Sequence, residues 1–163
     1  MSVEITLTPY ELMLGSSVGC MRQISALKAC LPDKHGAEAG GWKLHIEGAL
    51  GEIAAAKALG YYWSGSINTF KDPDLSRNIQ VRTRSKNEYE LIVRREDRDD
   101  DFFVLVTGVS PNYLVRGWLS GRESKRSNWL ATHGGRESAY FVPHQALRNM
   151  DELKAELAFQ CVT

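Results

Sequence analysis

The chain has no excess of either charge: 20 lysines and arginines stand against 20 aspartates and glutamates in 163 residues. The broad basic field that announces a nucleic-acid partner is missing, so only local patches can serve that purpose. A cysteine framework is missing too. Cys20, Cys30 and Cys161 are odd in number, widely spaced and without a C-x-x-C pair, which argues against a disulfide scaffold or zinc knuckle and fits a reducing cytoplasm. No apolar run approaches the ~20 residues that a membrane span needs. Met1 to Leu7 alternates polar and apolar residues where an export signal would be basic and then apolar. The expectation is a soluble, unexported protein of the cytoplasm with no membrane partner. His35, His45, His133 and His144 show no metal-ligand spacing and no Ser or Cys nucleophile context, which argues against histidine-centred chemistry. Internal repeats and low-complexity tracts are also lacking.

What is present suits one domain with one core. Its parts are an N-terminal helix and loop (1–41), a central body (42–147) and a C-terminal helical tail (148–163). Thr8-Pro9-Tyr10-Glu11 predicts a helix start with a capping box. That helix should run to about Leu31, with a bend where Gly15 to Gly19 weakens it. Leu31 to Gly41 reads as a loop. A second helix follows from about Trp42 to Leu59 and stops at Gly60. The aromatic triplet Tyr61, Tyr62 and Trp63 suggests a short strand before a loop that contains Asp72-Pro73-Asp74.

From Asn78 the apolar period changes to two. Strands are predicted at Ile79–Arg84, Tyr89–Arg94, Phe102–Thr107 and Tyr113–Leu119, with turn residues between them. Short connections make neighbours antiparallel, hence a meander with Phe102 to Val106 at its centre. Gly121 to Glu137 is polar, basic and loop-rich. Ala139–Val142 is a last strand, and His144 to Phe159 forms terminal helical turns. The whole reads as an α/β (α+β) fold, a mixed sheet flanked by helices.

One stretch carries chemistry. The second helix bears G-x-x-G-E (Gly48, Gly51, Glu52), the loop brings Pro73-Asp74, and the next strand presents Gln80 and Arg82 two residues apart, on one face. A metal-assisted phosphodiester hydrolase needs hard oxygen ligands, a way to make hydroxide and a fixed cation near the phosphate. This arrangement resembles the PD-(D/E)XK nuclease superfamily: Pro73-Asp74 stands at the P-D pair, and Gln80-Val81-Arg82 at E-x-K. G-A-L-G-E-x-A-A-A-K-x-L-G, V-R-T-R-S, F-V-L-V-T-G and Y-F-V-P are together similar to small phage-encoded relatives of that superfamily, over roughly Gly48 to Leu147. The resemblance implies a restriction-endonuclease-like fold and a DNA nuclease using Mg²⁺ or Mn²⁺. Glu52, Asp74 and Gln80 would be its metal ligands, and Arg82 its phosphate-binding cation. It also brings a homodimer and a host-cell cytoplasm into view.

Two departures stand out. Gln80 offers a neutral carbonyl oxygen where the family has a carboxylate, and Arg82 stays protonated and cannot act as a base. Glu52 borders the apolar face of its helix and is the preferred ligand, with Glu47 as the alternative. Lys57 reads as a snorkelling side chain. The run Asp97, Asp99, Asp100 and Asp101 reads as a solvated turn, with a second metal site as the sharper alternative. Arg82, Arg84, Arg116, Arg122, Lys125 and Arg126, interleaved with Trp118 and Trp129, form a candidate nucleic-acid surface. Two non-catalytic functions therefore stand beside the nuclease. One is a nucleic-acid-binding protein of the same fold without the metal, and the other an accessory protein that binds a host protein through the segment after Trp118.

Overall fold

The computed structural model describes residues 2–29, 40–67, 73–75 and 78–159. Most of the expected loop before Gly41, together with Cys30, His35, Asp72 and Cys161, lies outside them.

Thr8 caps the first helix, α1 (Pro9–Lys28), as the local sequence dictates. Its hydroxyl accepts from the Glu11 N–H, and the Glu11 carboxylate accepts from the Thr8 N–H. The helix runs unbroken through Gly15 to Gly19, and Gly15 and Gly19 serve packing. A β-carbon on Gly19 would lie 2.5 Å from Ile46 Cα, and one on Gly15 would lie 2.5 Å from a Leu50 methyl. Only bare glycines let the second helix, α2 (Gly41–Leu59), come so near. At its end Gly60 takes the left-handed conformation (φ 73°) that suits glycine. The aromatic triplet that follows is irregular and not a strand.

Four strands form a mixed sheet in the order β1 (Val3–Thr6), β5 (Asn112–Ser120), β4 (Phe102–Val109), β2 (Ile79–Arg84). β4 is buried on both faces, as its apolar run predicts. A second sheet holds β3 (Leu91–Arg94), β7 (Ala139–Val142) and β6 (Leu130–Ala131). The protein is thus a mixed α+β fold, and its antiparallel pairs are β1–β5, β4–β5, β3–β7 and β6–β7.

The meander fails at β3, because β2 pairs with β4 in parallel. The Ser85–Glu90 connection is too long for a tight hairpin, and it carries β3 out of the sheet plane. There Leu91 and Val93 cover Phe103 and Leu105, which would otherwise be exposed on the second face of β4.

The sheet is covered on both faces. α2 and α4 (Met150–Phe159) cover one face of the mixed sheet through Leu50, Ile53, Val81, Val104, Trp118 and Leu153, and α1 packs on α2. The small sheet covers the other face. Gly51 sets the first spacing, since a β-carbon there would strike Thr83 at 1.9 Å. A one-turn helix, α3 (Gly121–Ser124), follows β5. Among the described residues no helix is long and apolar enough to cross a membrane.

Candidate functional site

Glu52 is a charged side chain in the middle of an apolar helix, 5% exposed. Arg22 makes that burial tolerable. Its Nη1 donates to Oε1 at 2.5 Å and its Nη2 to Oε2 at 2.9 Å, while Trp63 Nε1 adds a bond to Oε2 at 2.9 Å. A bidentate guanidinium is the strongest partner a carboxylate finds among side chains. Burial alone would lower the Arg22 pKa, but Glu52 outweighs it and raises the value. Arg22 Nε donates to the Ser66 carbonyl and fixes the fork. Sequence reading missed Arg22 and Trp63, although one signal was there. Arg22 follows Gly15 and Gly19 at helical spacing, so a charge sits on the packed face of α1.

Asp74 joins Glu52, as expected. Its Oδ2 accepts the Val81 N–H at 2.7 Å, which places the half-buried carboxylate beside the start of β2. Burial and then the charge of Glu52 push Asp74 up to about 6, against the Val81 N–H, Arg82 and Arg22. Glu47 belongs elsewhere: it accepts from Tyr113 Oη at 2.6 Å and Ser110 Oγ at 3.2 Å. Lys57 reaches Glu11 and the Thr6 carbonyl.

Neither Gln80 nor Arg82 shows a hydrogen bond to these carboxylates among the described residues, although the Arg82 charge is felt at Asp74. They share a face, as their spacing requires, but it is the face away from α2, because Ile79 and Val81 fill the helix-side core. Gln80 Nε2 donates to Asp101 Oδ2 at 3.2 Å. Arg82 pairs with Asp97 at 3.0 Å and lies over the Phe103 ring. The four-residue convergence on one metal is therefore corrected to a Glu52–Asp74 pair on one side and a Gln80–Arg82 pair on the other. Mg²⁺ asks for several free oxygens. Here both Glu52 oxygens are bound by Arg22 and Trp63, and one Asp74 oxygen is bound by Val81. Among the described residues no three His, Cys, Asp or Glu side chains are placed to hold a metal. The residues, so arranged, do not fit a resident Mg²⁺ or Mn²⁺.

The acidic run turns out to neutralise much of the expected basic patch. Besides Asp97 with Arg82, Asp99 pairs with Lys125 at 2.7 Å and Asp100 with Arg122 at 3.3 Å. Arg126 stacks on Trp129. Trp118 is buried against Phe102 and donates to the Asn149 carbonyl, so it is not a surface residue.

Arg84 and Arg116 behave differently. Arg84 is paired across the sheet with Thr107, whose hydroxyl accepts from Arg116 Nε at 2.9 Å. Arg116 is the extra residue of a β-bulge, since Leu105 faces Gly117 and Val106 faces Val115. Its Nη2 reaches the Asn87 carbonyl in the turn after β2. Arg84 and Lys86 both lie over the Tyr89 ring. Burial lowers the Arg84 pKa, and nearby Arg136 adds to this against Tyr89 and Glu90. Among the described residues the buried Arg84 Nη1 has no hydrogen-bond acceptor.

No protein-family model matches this chain, and no curated protein or solved structure matches it either. The geometry alone then says what each place can do. At the Glu52–Asp74 pair the Asp74 carboxyl keeps its proton up to about pH 6, and an arginine closes the Glu52 side. The Arg84 corner offers one donor, Arg84 Nη1, with no acceptor among the described residues, which suits an anion.

Proposed function

We propose that this is a nucleic-acid-binding protein of the cytoplasm that grips a phosphodiester backbone at the Arg84 corner and does not cleave it. The observation that carries this reading is the buried Arg84 Nη1 without an acceptor, set among Arg116, Arg136 and Lys86. A buried cationic donor without a partner is costly, and a phosphate oxygen would satisfy it once Arg84 turns outward from the Tyr89 ring. Arg22 adds support, since it occupies the Glu52 carboxylate that a nuclease would need for its metal.

A Mg²⁺-dependent DNA nuclease is the second reading. It is favoured by Asp74, because a carboxyl lifted to about 6 by burial and then by the charge of Glu52 would be relieved by a cation. That reading requires Arg22 to leave Glu52.

Fluorescence anisotropy with a labelled DNA strand, single and duplex, tests the proposal. Binding should weaken steeply between about 50 and 200 mM salt. Arg84→Gln and Arg136→Ala should each weaken it severalfold and flatten the salt slope, while Arg122→Ala, already paired with Asp100, should not. Salt-insensitive binding, or equal loss on Arg122→Ala, would overturn the proposal. Cleavage that appears with Mg²⁺ and vanishes in Asp74→Asn would install the nuclease in its place.

A further inference from the structure

α1 is apolar on both sides, and only one side is covered. Gly15, Gly19 and Arg22 face α2 and Glu52. About 160° around the helix, at 100° per residue, lie Tyr10, Met13, Leu14, Ser17, Met21 and Ile24. The five large side chains of that stripe are 41 to 67% exposed. The band is about 100° wide, the width of a core-facing stripe, yet none of the described residues covers it to that degree. A soluble protein rarely leaves such a surface bare without using it.

We infer that this stripe is the interface of a homodimer in which α1 packs antiparallel against α1 of a second copy. Two observations select a second copy over an unrelated partner. First, the stripe is symmetric about Ser17: Met13 and Met21 lie four residues to either side, and Tyr10 and Ile24 seven. A two-fold axis at Ser17 would set Tyr10 on Ile24 of the partner subunit and Met13 on Met21 of the partner subunit. The surface is thereby complementary to itself, as an isologous contact requires. The small Ser17 sits at the crossing point, where bulk would hold the helices apart. Its hydroxyl already donates to the Met13 carbonyl, so no donor is stranded there. Second, the area is sufficient. Five such side chains expose on the order of 500 Å² per copy, so a pair removes roughly 1,000 Å², about the threshold for a specific interface. No charge lies within the stripe before Lys28 at its end, so desolvation opposes the contact little.

Sedimentation equilibrium of the full chain tests this. The wild type should sediment at twice 18.3 kDa. Met13→Glu and Met21→Lys, each exposed and outside the core, should each weaken the dimer at least tenfold with unchanged circular dichroism. Combining the two substitutions in one chain should restore the dimer, because each new charge then meets its opposite across the axis. A wild-type monomer at 100-fold dilution and at high concentration alike would overturn the inference and leave the stripe to another partner. A dimer indifferent to the single substitutions, or a combined variant that stays monomeric, would overturn the antiparallel register.

Discussion

Replacing Asp74 with asparagine should make this protein more stable, and the gain should depend on pH in a defined way. The folded-state pKa of Asp74 is raised from 3.8 to about 6, by burial and then by Glu52. A carboxyl shifted upward favours folding most when protonated. That advantage is complete below about pH 4 and is lost as pH rises through about 6. Above pH 6 the ionised group therefore opposes folding. A displacement of about two pH units at 1.36 kcal/mol each gives about 3 kcal/mol. Asp74 is only half-buried, and solvent screening reduces this to roughly 1–3 kcal/mol. Asparagine keeps an oxygen for the Val81 N–H and carries no charge. At pH 8 the variant should melt several degrees higher, at about 2–4 °C per kcal/mol for a chain of this size. The gap should close between pH 6 and pH 4. Urea unfolding of both proteins at pH 8, 6, 5 and 4 measures this. Equal stability at pH 8, or a gap that persists at pH 4, would refute the account of Asp74 and Glu52 as repelling neighbours.

Other substitutions test the framework around that pair. Gly19→Ala should destabilise by about 1–3 kcal/mol, since its β-carbon meets Ile46 backbone and cannot be accommodated by a side-chain rotation. Gly48→Ala, with open space at its β-carbon, should be neutral or should stabilise by up to ~1 kcal/mol, and urea titration compares the two. Arg22→Met should cost about 3–5 kcal/mol at neutral pH by stranding the buried Glu52 charge. Adding Glu52→Gln to Arg22→Met should recover part of that loss in a double-mutant cycle.

How much of this was legible depended on whether the deciding contact was local. Thr8, Pro9 and Glu11 act within one turn, and they announced α1 correctly. Gly60 and the apolar run of β4 were equally direct. Gly15 and Gly19 misled because a glycine reads the same whether it bends a helix or admits a neighbour, and Ile46 is remote in sequence. Asp74 and Glu52 were placed together by resemblance, and the structure does bring them together. Gln80 and Arg82 were correctly put on one face. Which face could not be read from alternation, because that depends on the helix layer taking Ile79 and Val81. The basic patch dissolved for a similar reason. Asp97, Asp99 and Asp100 look like a solvated turn until the fold sets them against Arg82, Lys125 and Arg122.

The pairing of β1 with β5 has a consequence for how the chain is made. Thr6 and Asn112 bond to each other across 106 residues, and the register runs from there to Val3 and Val115. β1 thus leaves the ribosome long before the partner it pairs with. Synthesis proceeds at roughly 5–20 residues per second, so β1 waits on the order of ten seconds with its backbone groups bonded only to water. Throughout that wait α1 is already formed or forming, with one apolar side turned outward and α2 not yet against the other. Chains that end before Asn112 cannot close the sheet at all. Premature termination should therefore yield aggregation-prone fragments, not smaller working proteins.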